Sequence, residues 1–490
     1  MERAATLERL RSERFDLFVI GAGIIGSRVA YEAARAGARV ALVDAGDFGA
    51  ATSSASSKLI HGGLRYLEMG DLKLVREAHL ERRALLDRVA PHLVRPQPFV
   101  IPIYRGGPHR ASAIAAGLFL YSALSGFQHS RGRLIAADRA RAWVPPVRTS
   151  GMRWAGFYMD AQTHDSRLVL ATVTGAARAG AAVLNHSPVV AVEALDGRLL
   201  SAEVAAPEGA LRVRADHFIN AAGPWVDAVR RLEDPAAAPI SRLSKGVHLT
   251  LEPLGPPWTA ALTVMLSGGR VSFAVPWEGM LLLGTTDTDY EGDPGEVSVT
   301  EADVAEILDE ASTGLPPEVI ARDRIRYRFA GLRVLPLSGG ASSAAPREEV
   351  MRVGPLGMVS VAGGKLTTHR RIATRVLWRL DRFRSVRFGD EPLPGGGPLP
   401  IRSPSIDPEV WAHLVHLYGS EAADVIARDG LERIHPSGPD VWAQAAHAVA
   451  GEWALTVDDV VRRRTTLEIR GLATPEVRRE IALRCNLAPP

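Results

Sequence analysis

This sequence has a single cysteine, no long apolar stretch and no strong net charge. With Cys485 as the one cysteine, no internal disulfide can form, and this composition fits a reducing compartment. No apolar run approaches the ~20 residues of a membrane-spanning helix, and the charged N-terminus MERAATLERLRSERF does not predict a signal peptide. The net charge of +3 is small for 490 residues and gives no reason to expect nucleic acid as a partner. The histidines are scattered and no cysteine cluster exists, so no metal site is predicted.

A glycine-rich turn near the N-terminus is the first informative motif. Asp16 to Ile20 has the apolar pattern of a buried parallel strand, and it is followed by Gly21, Gly23 and Gly26. These glycines allow a tight turn, close approach of a pyrophosphate, and close packing of helix on strand. Asp44 ends the next predicted strand, where a carboxylate can accept hydrogen bonds from both ribose hydroxyls. The pattern predicts a dinucleotide site and leaves FAD and NAD open; the alternative is a structural βαβ unit with an incidental acid.

Residues 51–68, ATSSASSKLIHGGLRYLE, form a stretch of small and hydroxylated residues with interleaved basic ones. Hydroxyl and backbone donors of this kind can line a flavin without steric cost, although a flexible serine-rich loop is the simpler alternative. The stretch resembles, nearly residue for residue, the signature of FAD-dependent glycerol-3-phosphate dehydrogenases, which are D-amino-acid-oxidase-like flavoproteins. The resemblance implies FAD as cofactor and contacts to it from Thr52, Ser53, Ser54, Ser57, Lys58, Leu59, His61, Gly62 and Gly63.

Two later segments resemble further motifs of the same family. Residues 216–225 predict a buried strand that enters a glycine turn, and residues 362–370 predict a strand followed by a glycine pair and a helix. Backbone N–H groups at such turns can face a bound ligand. The resemblance implies cofactor contacts from Ala222, Gly223, Trp225, Gly364, Lys365, Leu366 and Thr367.

The predicted fold class is α/β, with an FAD-binding Rossmann-like domain, an antiparallel-sheet substrate domain and a C-terminal helical domain. Short alternating runs bounded by Gly and Pro predict the antiparallel sheet between residues 245 and 284. The expected boundaries are 1–95, 150–240 and 325–388 for the FAD domain, 96–149 and 241–324 for the substrate domain, 389–404 for a linker, and 405–490 for the helices.

Oxidation of a secondary alcohol beside a phosphate needs a phosphate site and a proton acceptor. The resemblance implies substrate contacts from Arg65, Tyr66, Arg333 and Lys365, and arginine suits phosphate because its planar fork forms paired charge-assisted bonds. His248 is the candidate base and a further substrate contact, since neutral imidazole is available near pH 7. Arg333 or Lys365 can instead stabilise the developing alkoxide, so all three are candidate catalytic residues. The sequence departs from the family at His369, usually tyrosine, and around residues 332–336.

The resemblance implies FAD-dependent oxidation of sn-glycerol 3-phosphate to dihydroxyacetone phosphate, with electrons passed to a membrane quinone. The alternatives are a glycerol-3-phosphate oxidase that uses oxygen, an amine or 2-hydroxy-acid oxidase of the same superfamily, or a flavin-bound scaffold without turnover. A homodimer is compatible with the family.

The relatives' peripheral membrane location implies a cytoplasmic protein on the inner face of the cell membrane. An arginine-rich run between residues 370 and 387 predicts a basic surface for anionic lipid, with a solvated helix face as the alternative.

Overall fold

Two β-sheets and a group of C-terminal helices make up the computed structural model, which describes residues 3–64, 67, 70–107, 110–128, 131–266, 270–337, 349–387 and 389–488. The predicted fold class is confirmed. The strands, numbered in chain order, are β1 Arg14–Ile20, β2 Val40–Val43, β3 Leu59–Ile60, β4 Val94–Tyr104, β5 Arg133–Ala136, β6 Met152–Thr163, β7 Ala182–Leu184, β8 Val189–Leu195, β9 Arg198–Ala206, β10 Gly209–Asn220, β11 Ser241–Leu251, β12 Ala261–Met265, β13 Val271–Trp277, β14 Met280–Gly284, β15 Thr288–Tyr290, β16 Ile325–Pro336, β17 Glu349–Val353 and β18 Val359–Gly363.

The helices are mostly short, and those after residue 400 pack into two small apolar cores of their own. Within the described residues, no helix is both long and apolar enough to cross a membrane. Their bounds are α1 Arg3–Ser12, α2 Ile24–Arg35, α3 Leu72–Ala84, α4 Ala111–Leu124, α5 Ala137–Trp143, α6 Asp165–Arg178, α7 Val226–Glu233, α8 Glu301–Ser312, α9 His369–Leu377, α10 Pro408–Tyr418, α11 Ala422–Ile426, α12 Trp442–Gly451, α13 Val457–Asp459 and α14 Pro475–Cys485.

The first sheet has the strand order β17-β18-β10-β1-β2-β7, with the β8–β9 hairpin attached to β10. Its central pairings, β18·β10, β10·β1, β1·β2 and β2·β7, are all parallel. Parallel strands buried on both faces read as continuous apolar runs, as β2 does with VALV. Helices α2, α6 and α9 cover one face and share a single apolar core with it. The carboxyl ends of these five strands therefore meet at one edge.

The second sheet runs β15-β11-β14-β13-β12-β4-β6-β3, with β16 paired to β11 and β5 to β6. All its pairings are antiparallel except β12·β4. β16 follows β11 along nearly its whole length, and the register sets Arg333 opposite Ser244 and Phe329 opposite His248. Residues two apart on a strand share a face, so Ser244, Gly246 and His248 line one face together with Gly331 and Arg333.

Three local predictions differ from the structure. The FAD domain was expected to include residues 152–163 and 325–336. Both segments pair into the second sheet instead. A segment's own pattern predicts a strand, but which strand it pairs with depends on residues far away in the sequence. In the sequence, Asp165 precedes a helical pattern from Ser166 to Ala179, which predicts that it caps that helix. In the structure it is the first residue of α6, and its carboxylate binds Lys58. The turn after Gly364 does not open directly into a helix, since α9 begins at His369.

Candidate active site

The predicted nucleotide-binding motifs come together at the carboxyl edge of the first sheet. The glycine turn follows β1, Asp44 follows β2, Ala222 and Gly223 follow β10, and Gly364 follows β18. Gly21 has φ +97°, and a Cβ there would lie 2.6 Å from the Ala221 carbonyl oxygen, so no other residue fits. Ligands of open α/β sheets bind at this kind of edge.

The start of α2 presents backbone donors at this edge. Gly23 is the N-cap, and the N–H of Ile24 donates to Ser53 Oγ at 3.0 Å. Helix geometry leaves the N–H groups of Ile25 and Gly26 without an acceptor inside the helix. An added Cβ at Gly223, which has φ +56°, would meet nothing within 4 Å. This open, donor-rich cradle fits a pyrophosphate.

Asp44 is held at the edge by two backbone groups. Its Oδ2 accepts from the N–H of Ala22 at 2.6 Å and its Oδ1 from the N–H of Gly46 at 2.9 Å. Burial raises the pKa of Asp44 to about 6. When ionised, each oxygen retains a second acceptor site, which matches the two hydroxyls of a ribose.

The hydroxyl loop, residues 51–58, connects the two sheets. Thr52 Oγ1 donates to the Leu332 carbonyl at 2.6 Å, and Ser57 Oγ lies 2.9 Å from His248 Nε2. A Cβ on Gly331 would lie 2.7 Å from the Ala55 carbonyl oxygen, so β16 can approach the loop only through a glycine. The loop therefore sets the spacing between the nucleotide edge and the β11–β16 face.

Lys58 lies beneath this loop and is buried. Its Nζ donates to both carboxylate oxygens of Asp165, at 2.8 and 2.9 Å, and to the Ser54 carbonyl at 2.6 Å. Asp165 also accepts from the Ser56 hydroxyl at 2.7 Å. The contact of Lys58 with the cofactor stays a prediction; the structure shows that its ammonium group holds the loop to α6.

His248 faces the loop from β11 and is almost fully buried. Its ring stacks on Phe329, with centroids 5.1 Å apart and an interplanar angle of 12°. Burial, with the charges of Arg333 and Lys58, holds the pKa of His248 well below its usual range. The imidazole is therefore neutral at physiological pH, with one ring nitrogen unprotonated.

Arg333 lies four residues from Phe329 on the same face. Its Nη2 donates to Thr285 Oγ1 at 2.8 Å and to the Thr286 carbonyl at 3.0 Å, and its Nη1 lies 3.3 Å from Asp287 Oδ1. A Cβ on Gly246 would lie 2.4 Å from Nη2, so the guanidinium lies directly over that glycine. The turn after β14 thus fixes where the positive charge stands.

The turn after Gly364 touches the end of the hydroxyl stretch. Thr367 Oγ1 lies 3.2 Å from the N–H of His61. His369 is buried, and its Nδ1 donates to the Leu366 carbonyl at 2.7 Å, so its ring orders this turn where the family usually has tyrosine. The N–H of Gly62 donates to Asp160 Oδ1 at 3.2 Å.

Contacts across the hydroxyl loop thus bring many of the predicted site residues together where the two sheets meet, and their roles remain predictions. Arg65 and Tyr66 lie outside the described residues. Sequence reasoning missed residues that hold the predicted ones in place, because their pattern carries no local signal: Asp165, Ser244, Thr285, Asp287 and Phe329.

A separate cluster joins the C-terminal helices to the first sheet. Ligand atoms of Asp47, His186 and Asp459 lie within 4.8 Å of one another, a spacing that a metal ion can use. Asp47, however, pairs with both Arg463 and Arg464, and Asp459 pairs with Arg463 at 2.8 Å. The carboxylate charge is already balanced, so we assign this cluster to anchoring.

Comparison with known proteins agrees with this geometry. Residues 16–370 match the family described as FAD dependent oxidoreductase, and residues 357–483 match the C-terminal domain of alpha-glycerophosphate oxidase. The chain belongs to the FAD dependent oxidoreductase family. It is an FAD-dependent enzyme, and the predicted cofactor is confirmed.

Within that family the resemblance to glycerol-3-phosphate dehydrogenases is confirmed. The chain is 34% identical to "Glycerol-3-phosphate dehydrogenase" of Mycobacterium leprae, over 96% of this chain and 85% of that protein. It is 35% identical to "D-erythritol 1-phosphate dehydrogenase" of Brucella abortus, over 92% of this chain and 94% of that protein. The solved glycerol-3-phosphate dehydrogenase of Bacillus halodurans shares the fold, with a TM-score of 0.78 at 24% identity over 99% of this chain and 94% of that one.

Proposed function

We propose that the protein oxidises sn-glycerol 3-phosphate to dihydroxyacetone phosphate. The observation that carries the proposal is the β11–β16 face, where a neutral buried imidazole and a fixed guanidinium stand side by side. A phosphorylated secondary alcohol needs this pair, a proton acceptor near C2 and a cation for the phosphate. Relatives named for this activity support it.

His248 is the proton acceptor in this proposal. The Ser57 hydroxyl, 2.9 Å from Nε2, can donate to that nitrogen and so favours the tautomer that is unprotonated there. Because Nε2 has one lone pair, the Ser57 hydroxyl turns away from it when the C2 hydroxyl of the substrate gives its proton to Nε2. FAD, when bound, supplies the acceptor for the hydride that leaves C2, which becomes a carbonyl carbon.

Arg333 binds the phosphate, and Lys365 with Arg65 and Tyr66 completes the substrate contacts. Charge-assisted bonds to phosphate contribute ~1.5–3 kcal/mol each. Because Thr285 and Asp287 fix the guanidinium, little entropy is lost when it binds. The residues proposed to contact FAD are those of the glycine turn after β1, Asp44, the residues predicted between Thr52 and Gly63, those predicted between Ala222 and Trp225, and residues 364–367.

Electrons then pass to a membrane quinone, with the protein on the cytoplasmic face of the membrane, as in the family that the hydroxyl stretch resembles. Oxygen as acceptor, or an amine or 2-hydroxy acid as substrate, are the alternatives. An amine substrate would leave the fixed guanidinium without a phosphate to bind, although it could still hold a carboxylate.

D-erythritol 1-phosphate is a second candidate substrate. The specific support is the Brucella abortus relative, whose identity is 35% and which this chain covers over 94% of its length. The two substrates share a phosphate and a secondary alcohol and differ in chain length.

Anaerobic titration of the holoenzyme, followed by flavin absorbance, tests the proposal. We expect bleaching by glycerol 3-phosphate and none by glycerol, because glycerol lacks the phosphate. A larger kcat/KM with D-erythritol 1-phosphate would select the second candidate, and bleaching by neither phosphate would overturn the proposal. The rates at which a soluble quinone and oxygen reoxidise the reduced flavin are then compared to identify the electron acceptor.

A further inference from the structure

The loop that follows β2, residues 44–48, runs from the nucleotide edge of the first sheet to the C-terminal helices; we call it the β2 loop. It begins with Asp44, which is proposed to bind ribose, and it includes Asp47 and Phe48, which are 2% and 0% exposed. The ring of Phe48 packs edge-on against Trp453, with centroids 5.6 Å apart. The C-terminal helices therefore cover one side of the loop that carries the proposed ribose contact.

Two arginines that follow α13 hold the Asp47 carboxylate. Arg464 is fully buried; its Nη2 donates to Asp47 Oδ1 at 2.8 Å, and its Nη1 donates to Oδ2. Arg463 Nε also donates to Oδ2, and Asn185, after β7, donates to Oδ1 at 3.1 Å. Charge-assisted hydrogen bonds of this forked kind fix the direction of a carboxylate as well as its position. The β2 loop therefore has a fixed point three residues beyond Asp44.

The two guanidinium groups are themselves held by the C-terminal helices. Arg464 Nη2 also donates to the Glu452 carbonyl at 2.6 Å, and Arg463 Nη2 donates to Asp459 Oδ1 at 2.8 Å. The other oxygen of Asp459 accepts from the N–H of Thr456 at 3.0 Å. The arginines thus belong to the framework of the helices, and the loop is fitted to them.

Backbone hydrogen bonds connect this fixed point with Asp44. The Gly46 N–H donates to Asp44 Oδ1 at 2.9 Å, and the Gly46 carbonyl accepts from the N–H of His186 at 2.8 Å. The Asp44 carbonyl accepts from the N–H of Ser187 at 2.7 Å. Because Gly46 lies between Asp44 and Asp47 and orients the Asp44 carboxylate, a shift of Asp47 changes where the oxygens proposed to bind ribose point.

Stability alone does not explain four buried charges at this place. Asp47, Asp459, Arg463 and Arg464 are each at most 6% exposed. Removal of charges from water is costly, and apolar residues of similar volume often stabilise a fold equally well. What such a network adds is a defined geometry, and the geometry that it defines here is that of the β2 loop.

The same residues act on the charge of Asp44. Burial is the largest cause of its raised pKa, about 6; the negative charge of Asp47 acts in the same direction, and His186 acts in the opposite one. His186 is in turn bound by a carboxylate of the C-terminal helices at 2.9 Å. Since Arg463 and Arg464 neutralise Asp47, loss of either arginine should raise the pKa of Asp44, and loss of the Asp47 charge should lower it.

We propose that the C-terminal helices set the affinity of the FAD site, with Arg464 and Arg463 acting as positioning residues for Asp44 through Asp47. This positioning rests on the proposed function only in the contact between Asp44 and ribose, and it holds for any substrate and any electron acceptor. The segment that matches the second family, residues 357–483, thereby takes part in binding the cofactor.

FAD release from diluted holoenzyme, followed by the rise in flavin fluorescence, gives the Kd that tests this positioning. Arg464→Met should raise the Kd for FAD near neutral pH about tenfold, the value of one charge-assisted bond to a ribose hydroxyl. Arg167→Met is the matched control, because Arg167 forms a buried pair with Glu452 of the same helices. Its hydrogen bonds within the described residues go to Glu452 and the Leu417 carbonyl and not to the β2 loop, so the Kd should not change.

The pH dependence of the Kd provides a second measurement. Asp47→Asn keeps the shape of the side chain and removes its charge, so it tests the proposal even if Arg464→Met does not fold. The pH below which the Kd rises should move down by about half a unit in Asp47→Asn and up by a similar amount in Arg464→Met. Arg464→Lys keeps the charge without the fork, so it should restore this pH and only part of the affinity.

An anchor that only holds two domains together would leave the Kd of the folded protein and its pH dependence at the wild-type values in Arg464→Met and Asp47→Asn, and that result would overturn the proposal. A Kd raised equally in Arg167→Met would also overturn it. Asp44→Asn separates the two levels of the argument. Wild-type affinity for FAD in that variant would refute the ribose contact itself, whereas weak binding there, with wild-type affinity in Arg464→Met, would refute the positioning alone.

Discussion

The two sheets build their parts of the site in different ways. At the edge of the first sheet, each ligand-facing motif follows its own strand, so glycines and acids carry a signal in short stretches of sequence. On the second sheet, His248 and Arg333 are 85 positions apart and meet only because β11 and β16 pair in one register. The nucleotide edge is therefore set by short local motifs, and the substrate face depends on register and on contacts that keep it in place.

Replacement of the candidate base should give the largest effect. His248→Asn should lower the rate of flavin reduction by about 10²–10⁴-fold, because no group accepts the hydroxyl proton, while FAD stays bound. Ser57→Ala keeps the base and should cost far less. Equal rates for His248→Asn and wild type in anaerobic stopped-flow absorbance would show that the face is not where proton transfer occurs.

Removal of the buried cation beneath the loop should affect stability next. Lys58→Met leaves the Asp165 carboxylate buried and unpaired, and we expect a loss of about 3–5 kcal/mol in the free energy of unfolding. Urea unfolding followed by FAD fluorescence measures it. Arg479→Met breaks the exposed pair with Glu476 and should cost below about 1 kcal/mol. Similar costs for the two variants would contradict the role given to Lys58.

A methyl group added at Gly246 should show whether substrate binding depends on the position of the Arg333 guanidinium, which the pairing of β11 with β16 sets. Gly246→Ala places a Cβ on the Arg333 guanidinium and should raise the KM for glycerol 3-phosphate about 10–100-fold, the value of one displaced charge-assisted bond. Gly117→Ala, at an α4 position with open space around it, should leave KM unaltered. An unchanged KM in Gly246→Ala would mean that Arg333 does not hold the phosphate.

Acidification should have the smallest effect, and the quantity it changes is the affinity for FAD at the edge of the first sheet. The Asp44 pKa is raised to about 6, so the carboxylate is ionised above that pH and protonated below it. Since ribose hydroxyls donate to the ionised form, the Kd for FAD should be constant above pH 6 and rise about tenfold as pH falls below it. Asp44→Asn should bind FAD weakly with no such dependence. A wild-type Kd that is flat from pH 7 to 5 would exclude this role.

The sequence alone predicts the local motifs of the first sheet better than the distant strand pairing of the second. The glycine turn is local and appears as predicted. The sequence likewise predicts Asp71 as the N-cap of a helix and Thr300 with Asp303 as a capping box, and the structure shows both. The pairing of β16 with β11 is not local, and so residues 325–336 were expected in the other domain. Asp165 was predicted to cap a helix from its local sequence alone, because its partner Lys58 lies 107 residues away.

Flavin bleaching by glycerol 3-phosphate in wild type and in Arg333→Ala, under anaerobic rapid mixing, tests the central claim most directly. The claim is that a phosphorylated alcohol is oxidised at the β11–β16 face. We predict fast, saturable bleaching in the wild type and, in the variant, a half-saturating concentration raised at least about tenfold with FAD content retained. Bleaching of equal affinity in both proteins, or none in the wild type, would contradict the account.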